Sequence, residues 1–409
     1  MTDTHRSRWT IVAVSTLALI ISNGLAIGGL PPFYKPIREE FVAIGAIDAG
    51  VAESFIANCA NITFLMSGVF SVLGGWLVSR YRLKFLMVVG CVLLGGGLVL
   101  HSAAETAAMV YVARFLMGAS LGFIGVAPNV VLISRWFDIG RGTALGIVLT
   151  GTSIGGTVIP LIVAPLIAAF GWRSALLATS SLVWIILLPA ILLLVREAPD
   201  GRDEDGGVTS AEGMTFDQAI RTKLFWVFGL CAALVFYPIF VTSQQFILYL
   251  QSPQIGVSAA TAAFAQSALF AVSIGGKFLA GLLSDKIKAP IVMALCAFLM
   301  FAASLVLLGL SADNALLFLL PFALGYGGTF VLLQRLASEF FGRREAGKIL
   351  GAITLIEVLG AAVGGRITGY LADQAGGDYT IAFYGVTIAA GLAFVAAIMI
   401  AGMTKQTAA

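Results

Sequence analysis

Long runs of apolar residues, separated by short polar segments, follow one another along nearly the whole chain. Each run has about 20 residues, the length that a helix needs to cross a hydrocarbon layer of roughly 30 Å. Because backbone polar groups in lipid must be hydrogen-bonded within the chain, such runs predict transmembrane helices. The predicted spans lie near residues 9–30, 51–76, 85–104, 108–134, 144–170, 173–195, 224–249, 259–283, 289–310, 314–338, 349–372 and 380–403.

One long polar segment, residues 196–222, divides the twelve predicted spans into two groups of six. Its content of glycine and acidic residues is typical of a flexible linker. In the last part of this segment, residues 215–221 combine a threonine at a helix N-cap position with apolar residues at helical spacing. This pattern predicts an interfacial helix. We therefore expect an N-terminal six-helix bundle at 1–195, a cytoplasmic linker at 196–222 and a C-terminal six-helix bundle at 223–409.

The two groups of spans share short motifs at corresponding positions. The matching pairs are 75–80 with 281–286, Trp136-Phe137 with Phe340-Phe341, and Gly155 with Gly360. All have an offset of about 205 residues, which indicates duplication of a six-helix unit. The predicted fold is therefore an all-α membrane protein with two pseudo-symmetric six-helix bundles. Transporters built from parallel repeats of this kind hold a solute site near the middle of the membrane and open it alternately to each side.

Composition agrees with a membrane protein, since 59% of the residues are hydrophobic and 11% are charged. A soluble domain with this balance would expose a very large apolar surface. The basic residues form no polybasic block, so we expect the lipid bilayer and not nucleic acid as a partner. The four cysteines lie in apolar runs without the spacing of a zinc site or a disulfide, and we interpret them as small hydrophobic residues. No metal or cofactor is expected.

Basic residues are distributed unevenly between the two ends of the predicted spans. If the N-terminus is cytoplasmic, the short inner segments hold most of the Lys and Arg residues, whereas the outer segments hold Lys35, Arg38 and Arg173. By the positive-inside rule, this distribution puts both termini in the cytoplasm. We expect a multi-pass protein of the cell membrane, in particular a bacterial inner membrane, that functions as a monomer.

The loop after span eight, at 281–286, follows the pattern Gly-x-x-x-Asp-Arg/Lys, and the loop after span two, at 75–80, follows it with Ser79 in place of the acid. Span four contains Arg114-x-x-x-Gly118-x-x-x-Gly122. Both motifs resemble those of the major facilitator superfamily. Over almost its whole length, the chain is similar to the monocarboxylate and oxalate/formate porters of that superfamily. The stretches that carry this likeness are 32–41, 134–137, 141–146, 171–173, 221–226, 275–277 and 369–373.

This resemblance implies the major facilitator fold and a secondary active transporter of a small organic anion, with a monocarboxylate as the first choice. The anion would move together with a proton or in exchange for another anion. Lys277 occupies the basic position that binds the substrate carboxylate in the family. Asp285 corresponds to the acid with which the loop motif latches one conformation, while in the first copy Ser79 replaces this acid before Arg80. Where many relatives have a proton-carrying acid in span eight, this chain has Ser273.

Charged residues within the spans are costly, so each is a functional candidate. Lys277 either binds substrate or extends its ammonium group to the interface. Arg114 is either satisfied by backbone carbonyls and neighbouring helices or contributes to coupling or substrate attraction. Glu357, the acid deepest in the predicted membrane, either carries a proton or pairs with a base. Glu53 and Arg366, towards the outer ends of spans two and eleven, are a candidate gating pair.

Polar and aromatic residues on spans expected to line the cavity are candidate substrate contacts, with ordinary helix packing as the alternative: Asn23, Tyr237, Gln244, Gln245 and Tyr326. Nothing resembles a nucleophile with its base, a phosphate-binding loop or a metal site, so we expect no catalytic residue and no enzymatic activity. Two rival functions stay open. One is a transporter or efflux carrier of a neutral or cationic solute that contacts Glu357, and the other is a non-transporting membrane sensor on the same fold.

Overall fold

The computed structural model describes residues 2–77, 81–137, 141–196, 213–309, 311, 314–342 and 346–406, and most of them are helical. The α-helices are α1 Thr2–Asn23, α2 Pro31–Ala43, α3 Ala52–Leu77, α4 Leu83–Ser102, α5 Ala107–Ile124, α6 Val126–Trp136, α7 Arg141–Ser181, α8 Leu188–Leu194, α9 Phe216–Ile220, α10 Lys223–Leu250, α11 Ala259–Lys286, α12 Ala289–Ser304, α13 Ala315–Phe341, α14 Ala346–Gln374 and α15 Thr380–Gln406. Eleven segments among the described residues are long and apolar enough to cross a membrane.

One of these segments, Gly146–Leu194, has 49 residues, about twice the length of a single span. Gly171 divides it, because its φ of 77° and ψ of 165° are not helical. This backbone conformation is essentially restricted to glycine. Thus α7 consists of two helices joined at Gly171, where the sequence predicts the boundary between spans five and six. With this division, the described segments provide the twelve predicted spans.

The first apolar segment extends further than predicted. The sequence predicts a span over 9–30 that ends before Pro31 and Pro32. In the structure, α1 continues into a π-helical stretch, Gly24–Gly28, and α2 begins directly at Pro31. Proline is well tolerated in the first turn of a helix, since its missing N–H would have no partner there. The two prolines therefore start a second helix, which buries Tyr34.

The fourth predicted span is broken at Gly125, between α5 and α6, where the backbone is extended. Pro128 has no N–H with which to bond the carbonyl of Ile124, four residues earlier. The Asn129 side chain takes this role, because its Nδ2 donates to the carbonyls of Ile124 at 2.9 Å and Gly125 at 2.7 Å. A buried amide thus satisfies the backbone acceptors that the break exposes.

Contacts divide the chain into two compact units. Unit 1 comprises Met1–Ala49 and Ile62–Gly207, and unit 2 comprises Gly50–Asn61 and Val208–Ala409. Within unit 1, α1 packs against α7 and α4 packs against α5. Within unit 2, α10 packs against α14 and α11 packs against α13. The bundle boundaries inferred from the sequence stay a prediction.

Corresponding glycines make corresponding helix contacts in the two units. A Cβ at Gly155 of α7 would clash with the carbonyl of Ile20 on α1, and a Cβ at Gly360 of α14 would clash with the carbonyl of Ala233 on α10. These are contacts of span five with span one and of span eleven with span seven. Small residues at such points let two helix backbones approach closely. The contacts support the internal repeat inferred from the sequence.

The short helix predicted near the end of the linker is present as α9. Its N-cap is Thr215, whose Oγ1 accepts a hydrogen bond from the Gln218 N–H at 3.3 Å, while Gln218 Oε1 accepts one from the Thr215 N–H at 2.9 Å. Such a reciprocal pair satisfies two N–H groups at the start of a helix. The preceding part of the predicted linker, 197–212, lies outside the described residues.

We expect Gly171→Ala to lower the thermal unfolding midpoint of the purified chain, because an alanine forced into this conformation costs about 1–3 kcal/mol. Gly146→Ala is the matched control, since Gly146 lies in a helical part of α7 and has open space where a Cβ would be added. Alanine inside a helix is normally no worse than glycine. Equal midpoints for the two variants would contradict a glycine-specific connection at Gly171.

Candidate functional site

Lys277 lies on α11 in unit 2, and its side chain is only 8% exposed. The rotation of α11 is fixed by α13, because a Cβ at Gly327 would clash with the carbonyl of Ser273. In this arrangement, Lys277 Nζ lies 4.9 Å from the centre of the Phe330 ring on α13. The ammonium group is therefore inside the unit, which favours substrate binding over extension to the interface. The binding role itself stays a prediction.

Further aromatic rings lie close to this lysine. Phe330 contacts Phe236 of α10 with 6.2 Å between ring centroids. One turn before Phe330, Tyr326 contacts Phe270 of α11 edge to face, also at 6.2 Å. The candidate residue Tyr326 therefore belongs to the wall formed by α11 and α13 that contains Lys277. We call Phe236, Phe270, Tyr326 and Phe330 the aromatic wall.

A run of polar residues interrupts the apolar sequence of α10, and all of its members are buried: Thr242, Ser243, Gln244 and Gln245. Gln245 Nε2 donates to the carbonyl of Gly365 on α14 at 3.2 Å. Gln266 Nε2 of α11 donates to the carbonyl of Ser243 at 2.6 Å. Within the described part of the chain, Oε1 of Gln245 and Oε1 of Gln266 have no hydrogen-bond partner. Buried acceptors of this kind are rare and mark places where water or a ligand is held.

The sequence candidates include Gln244 of this run but not Gln266. The sequence could have indicated Gln266, because a side-chain amide within an apolar run has to find a hydrogen-bond partner inside the bundle. Another candidate on α10, Tyr237, is half-buried, and its ring lies against α14, where a Cβ at Gly364 would be 3.0 Å from Tyr237 Cγ. Its hydroxyl lies where a Cβ at Gly385 of α15 would be added. Tyr237 therefore fills the space between neighbouring helices, and its contact with substrate stays a prediction.

Glu357, on α14, is 2% exposed. Its Oε1 has no hydrogen-bond partner in the part of the chain that the structure describes. Among the same residues, no lysine or arginine lies within ion-pair distance of it. The structure thus supplies no described base for the pairing interpretation of Glu357. A role in proton transfer stays a prediction.

Asp285, at the end of α11, forms an ion pair with Arg335 of α13, with 2.7 Å between Oδ1 and Nη1. Arg335 also pairs through Nε with Glu339 Oε1 at 2.7 Å and donates to Ser284 Oγ. The side chain of Asp285 is 70% exposed, so such a pair contributes at most about 1 kcal/mol to stability. The corresponding residue of the first motif copy, Arg80, lies outside the described residues.

The first part of α3, residues 52–61, contacts α14 within unit 2. The Asp373 carboxylate, near the end of α14, accepts hydrogen bonds from the N–H groups of Glu53 at 2.8 Å and Ser54 at 2.9 Å. The first N–H groups of a helix have no partner within it, and a carboxylate there also interacts favourably with the helix dipole. Asp373 therefore caps α3 from another helix, a role that the sequence candidates did not include.

Two glycines of α14 allow this close contact with α3. A Cβ at Gly369 would lie 2.5 Å from the Ala57 Cβ, and a Cβ at Gly365 would clash with Asn61 Oδ1. Asn61 Nδ2 donates to the carbonyl of Ala362 at 3.1 Å. Two small residues four positions apart provide a flat surface on which a second helix packs.

The candidate gating residues, Glu53 and Arg366, both lie at this contact but bond to different residues. Glu53 is buried, and its Oε2 accepts a hydrogen bond from the Tyr379 hydroxyl at 2.5 Å. Arg366 is exposed, and its Nη1 donates to Asn58 Oδ1 at 3.4 Å. The structure thus brings Glu53 to Tyr379 and Arg366 to Asn58. A gating role for either residue stays a prediction.

Two candidates lie in unit 1. Arg114 is 1% exposed on α5, and its guanidinium group lies over the Tyr34 ring, 5.4 Å from its centre. Asn23 is half-buried where α1 passes into the π-helical stretch, and its Nδ2 donates to Ser22 Oγ at 3.4 Å. π-Helical turns frequently occur at functional sites. For both residues, contact with a solute stays a prediction.

A sequence profile of the Major Facilitator Superfamily matches residues 12–365 and 246–407. The chain belongs to this superfamily. This confirms the predicted fold class and the family resemblance. A member of the superfamily is a multi-pass membrane transporter for small solutes and not an enzyme, so the coarse function also follows.

Relatives of this superfamily member include transporters from fungi, animals and bacteria. The MFS transporter asaE of Aspergillus flavus is 25% identical over 338 residues, covering 80% of this chain and 74% of the relative. Monocarboxylate transporter 13 of Bos taurus is 25% identical over 390 residues, covering 92% and 85%. The cis,cis-muconate transport protein of Acinetobacter baylyi is 24% identical over 394 residues, covering 92% and 90%.

Among solved structures, a bacterial homolog to the human lysosomal transporter Spinster resembles this superfamily member with a TM-score of 0.71. The two sequences are 17% identical, and the match covers 98% of each chain. At this identity the likeness concerns the fold alone. It agrees with the helical architecture described above.

We expect Asp373→Ala to lower the thermal unfolding midpoint, because loss of a helix cap costs about 1–2 kcal/mol. Asp373→Asn should lower the unfolding midpoint by less, since the asparagine side chain keeps one acceptor oxygen. Glu39→Ala is the control, because Glu39 is an exposed acid whose nearest base, Lys35, is 4.0 Å away. If Asp373→Ala is as stable as Glu39→Ala, Asp373 does not stabilise α3.

Proposed function

We propose that this chain is a secondary active transporter of a small organic anion, with a monocarboxylate as the first choice, and that Lys277 binds its carboxylate. The observation that carries the proposal is the burial of this lysine beside the aromatic wall. An ammonium group held inside the unit next to ring faces offers a carboxylate a positive charge within apolar surroundings. Lysine binds such a group as a point charge rather than through a fork of two donors.

Two relatives agree with this class of solute, since one is named a monocarboxylate transporter and the other a cis,cis-muconate transport protein. At 25% and 24% identity, they support a class of solute and not a particular compound. The aromatic wall adds a physical reason, because ring faces provide an apolar surface for the body of an organic acid next to its charge. We therefore include an aromatic acid among the solutes to be tested.

We propose that transport proceeds by alternating access, in which one site opens to each side of the membrane in turn. Further contacts with the solute are proposed for Asn23, Arg114, Tyr237, Gln244 and Tyr326. Polar groups of this kind, placed within apolar surroundings, fix the orientation of a small ligand through hydrogen bonds. We further propose that the transporter functions as a monomer and that both of its termini lie in the cytoplasm.

For coupling, we propose that Glu357 carries the proton, because Ser273 at the family's usual position has no titratable group. Glu357 is buried, and its Oε1 has no partner among the described residues. An ionised carboxylate is costly in such a place, whereas a protonated one is tolerated. Loss or gain of a proton would therefore accompany a change in the surroundings of Glu357. In anion exchange, the alternative, Glu357 has no such role.

A transporter of neutral or cationic solutes is the second candidate function. It is favoured by acceptor atoms without partners in the described part of unit 2, namely Oε1 of Gln245, Gln266 and Glu357. Carbonyl and carboxylate oxygens bind solutes that carry N–H or O–H donors or a positive charge. In that case Lys277 would be a structural residue, and its replacement would affect stability rather than solute selectivity.

We expect Lys277→Ala to abolish uptake of the anion while the protein stays folded, and Lys277→Arg to retain part of it. Loss of the cation opposite a buried carboxylate costs about 3–5 kcal/mol. At subsaturating solute this lowers uptake by at least about 100-fold. The measurement is uptake of labelled lactate, pyruvate, formate, oxalate and an aromatic acid into proteoliposomes, with size-exclusion profiles to verify folding.

Lys286→Ala is the matched control for this experiment, because Lys286 lies exposed at the end of the same helix. It should transport like the wild type. Normal anion affinity in Lys277→Ala would show that Lys277 does not bind the substrate. Absence of flux for every anion, together with uptake of a neutral or cationic solute, would replace the first candidate function by the second.

The coupling proposal is tested with Glu357→Gln, which preserves side-chain size and hydrogen bonding but removes the titratable group. We expect this variant to exchange anion for anion while losing the acceleration by an inward proton gradient. The measurement compares gradient-driven uptake with exchange in the same proteoliposomes. Full gradient-driven uptake in Glu357→Gln would exclude Glu357 as the proton carrier and favour anion exchange or another driving ion.

A further inference from the structure

Unit 1 contains a group of charged and aromatic side chains built from α2, α4, α5 and α7. We call it the Arg114 cluster, and its members are Tyr34, Glu40, His101, Arg114, Trp172 and Arg173. Tyr34, His101, Arg114 and Trp172 are buried, whereas the side chains of Glu40 and Arg173 are 36% and 35% exposed. The two arginines of the cluster differ in their surroundings.

Arg173 has a counter-ion within the cluster. Glu40 Oε1 accepts a hydrogen bond from Arg173 Nη2 at 2.6 Å, and Glu40 Oε2 accepts one from Trp172 Nε1 at 2.6 Å. Arg173 Nη1 also donates to the carbonyl of Ala104 at 2.8 Å. Both carboxylate oxygens of Glu40 are therefore engaged by the Trp172-Arg173 pair. Their negative charge neutralises Arg173.

Arg114 has no such counter-ion among the described residues. Its Nε and Nη1 are buried and have no hydrogen-bond partner in that part of the chain. The Tyr34 ring covers the guanidinium group, with 5.4 Å between Arg114 Cζ and the ring centre. Such a cation–π contact offsets only a part of the cost of burying an unpaired ion. An anion beside Arg114 would supply the missing counter-charge.

His101 provides a second hydrogen-bonding group at the same place. Its ring is fully buried at the end of α4, and neither Nδ1 nor Nε2 has a partner among the described residues. The turn of α4 before His101 packs on α5 next to Arg114, since a Cβ at Gly97 would lie 3.1 Å from the carbonyl oxygen of Ala113. The Trp172 ring is next to the His101 ring, with 6.1 Å between centroids. A histidine ring always carries at least one N–H, which an anion accepts.

We propose that Arg114 and His101 hold a small monovalent anion inside unit 1, either a halide ion or the carboxylate of a small organic acid. The anion neutralises Arg114 and accepts hydrogen bonds from its guanidinium group and from the His101 ring. Its size is limited by tight packing of α4 on α5, since a Cβ at Gly97 would lie 2.9 Å from Met117 Cγ. The site needs no residue of unit 2, and an anion held there takes the place of the solute contact considered above for Arg114.

The test titrates the purified full chain with sodium bromide or sodium acetate, replacing the sodium salt of a bulky sulfonate buffer at constant ionic strength, and records thermal unfolding. A ligand that binds only the folded state raises the midpoint in a saturable way. We expect this rise for bromide, acetate or both in the wild type. In Arg114→Gln the apparent dissociation constant should increase at least about tenfold, which corresponds to loss of one good contact.

The variants and salts separate the alternatives. Lys286→Ala is the matched control and should respond like the wild type, because Lys286 lies exposed at the end of α11, outside the Arg114 cluster. A response to bromide alone identifies a halide site, and a response to acetate alone identifies a carboxylate site, both of which support the proposal. A bromide response that persists unchanged in Arg114→Gln overturns it, as does an acetate response that persists unchanged when Arg114→Gln is combined with Lys277→Ala. The lack of any saturable response in the wild type also overturns it.

A second measurement uses the protein without either anion. In the bulky sulfonate salt alone, Arg114→Gln should be at least as stable as the wild type, because it removes an uncompensated buried charge. His101→Phe should weaken the anion response while Arg114 is intact. If Arg114→Gln is strongly destabilised or does not fold in this salt, the guanidinium group is satisfied by the protein itself, and the proposal fails.

Discussion

Close contact between helix backbones at glycine is the constraint on which both units depend. In lipid, helices gain no hydrophobic energy by associating, so packing and hydrogen bonding have to hold them together. Gly155 in unit 1 and Gly360 in unit 2 make corresponding contacts, and Gly327 makes another where α13 meets α11. Each contact fixes the rotation of its helix and hence the direction of the polar side chains. The burial of Lys277 and Glu357 follows from this packing.

Much of the fold could be predicted, because the length of an apolar run is a local property of the sequence. The twelve spans and the division near Gly171 are of this kind. The continuation through Pro31 and Pro32 was not predictable, since proline is common both after a helix and at the start of one. The break at Gly125 also escaped prediction. It depends on Asn129 replacing a missing backbone donor.

For the candidate site, the sequence indicates which residues are unusual but not which residues they meet. A charged residue within an apolar run is exceptional, and Lys277 and Arg114 are indeed buried. The partner of a side chain depends on helix rotation and register, which are set by distant contacts. Glu53 bonds to Tyr379, 326 residues later in the chain, and Asp373 caps a helix that begins more than 300 residues before it. No local pattern contains this information.

The connection at Gly171 has a mechanical consequence for unit 1. The two arms of α7 meet at a single residue, so no loop lies between them to absorb a change in their mutual tilt. When unit 1 changes shape, the two helices of α7 either move together as one rigid body or rotate relative to each other about the φ and ψ of Gly171. Glycine has the widest range for such rotation, which makes this residue the natural hinge of the pair. An epitope or tag inserted at Gly171 would separate the motions of the two helices, so this turn is an unsuitable insertion site.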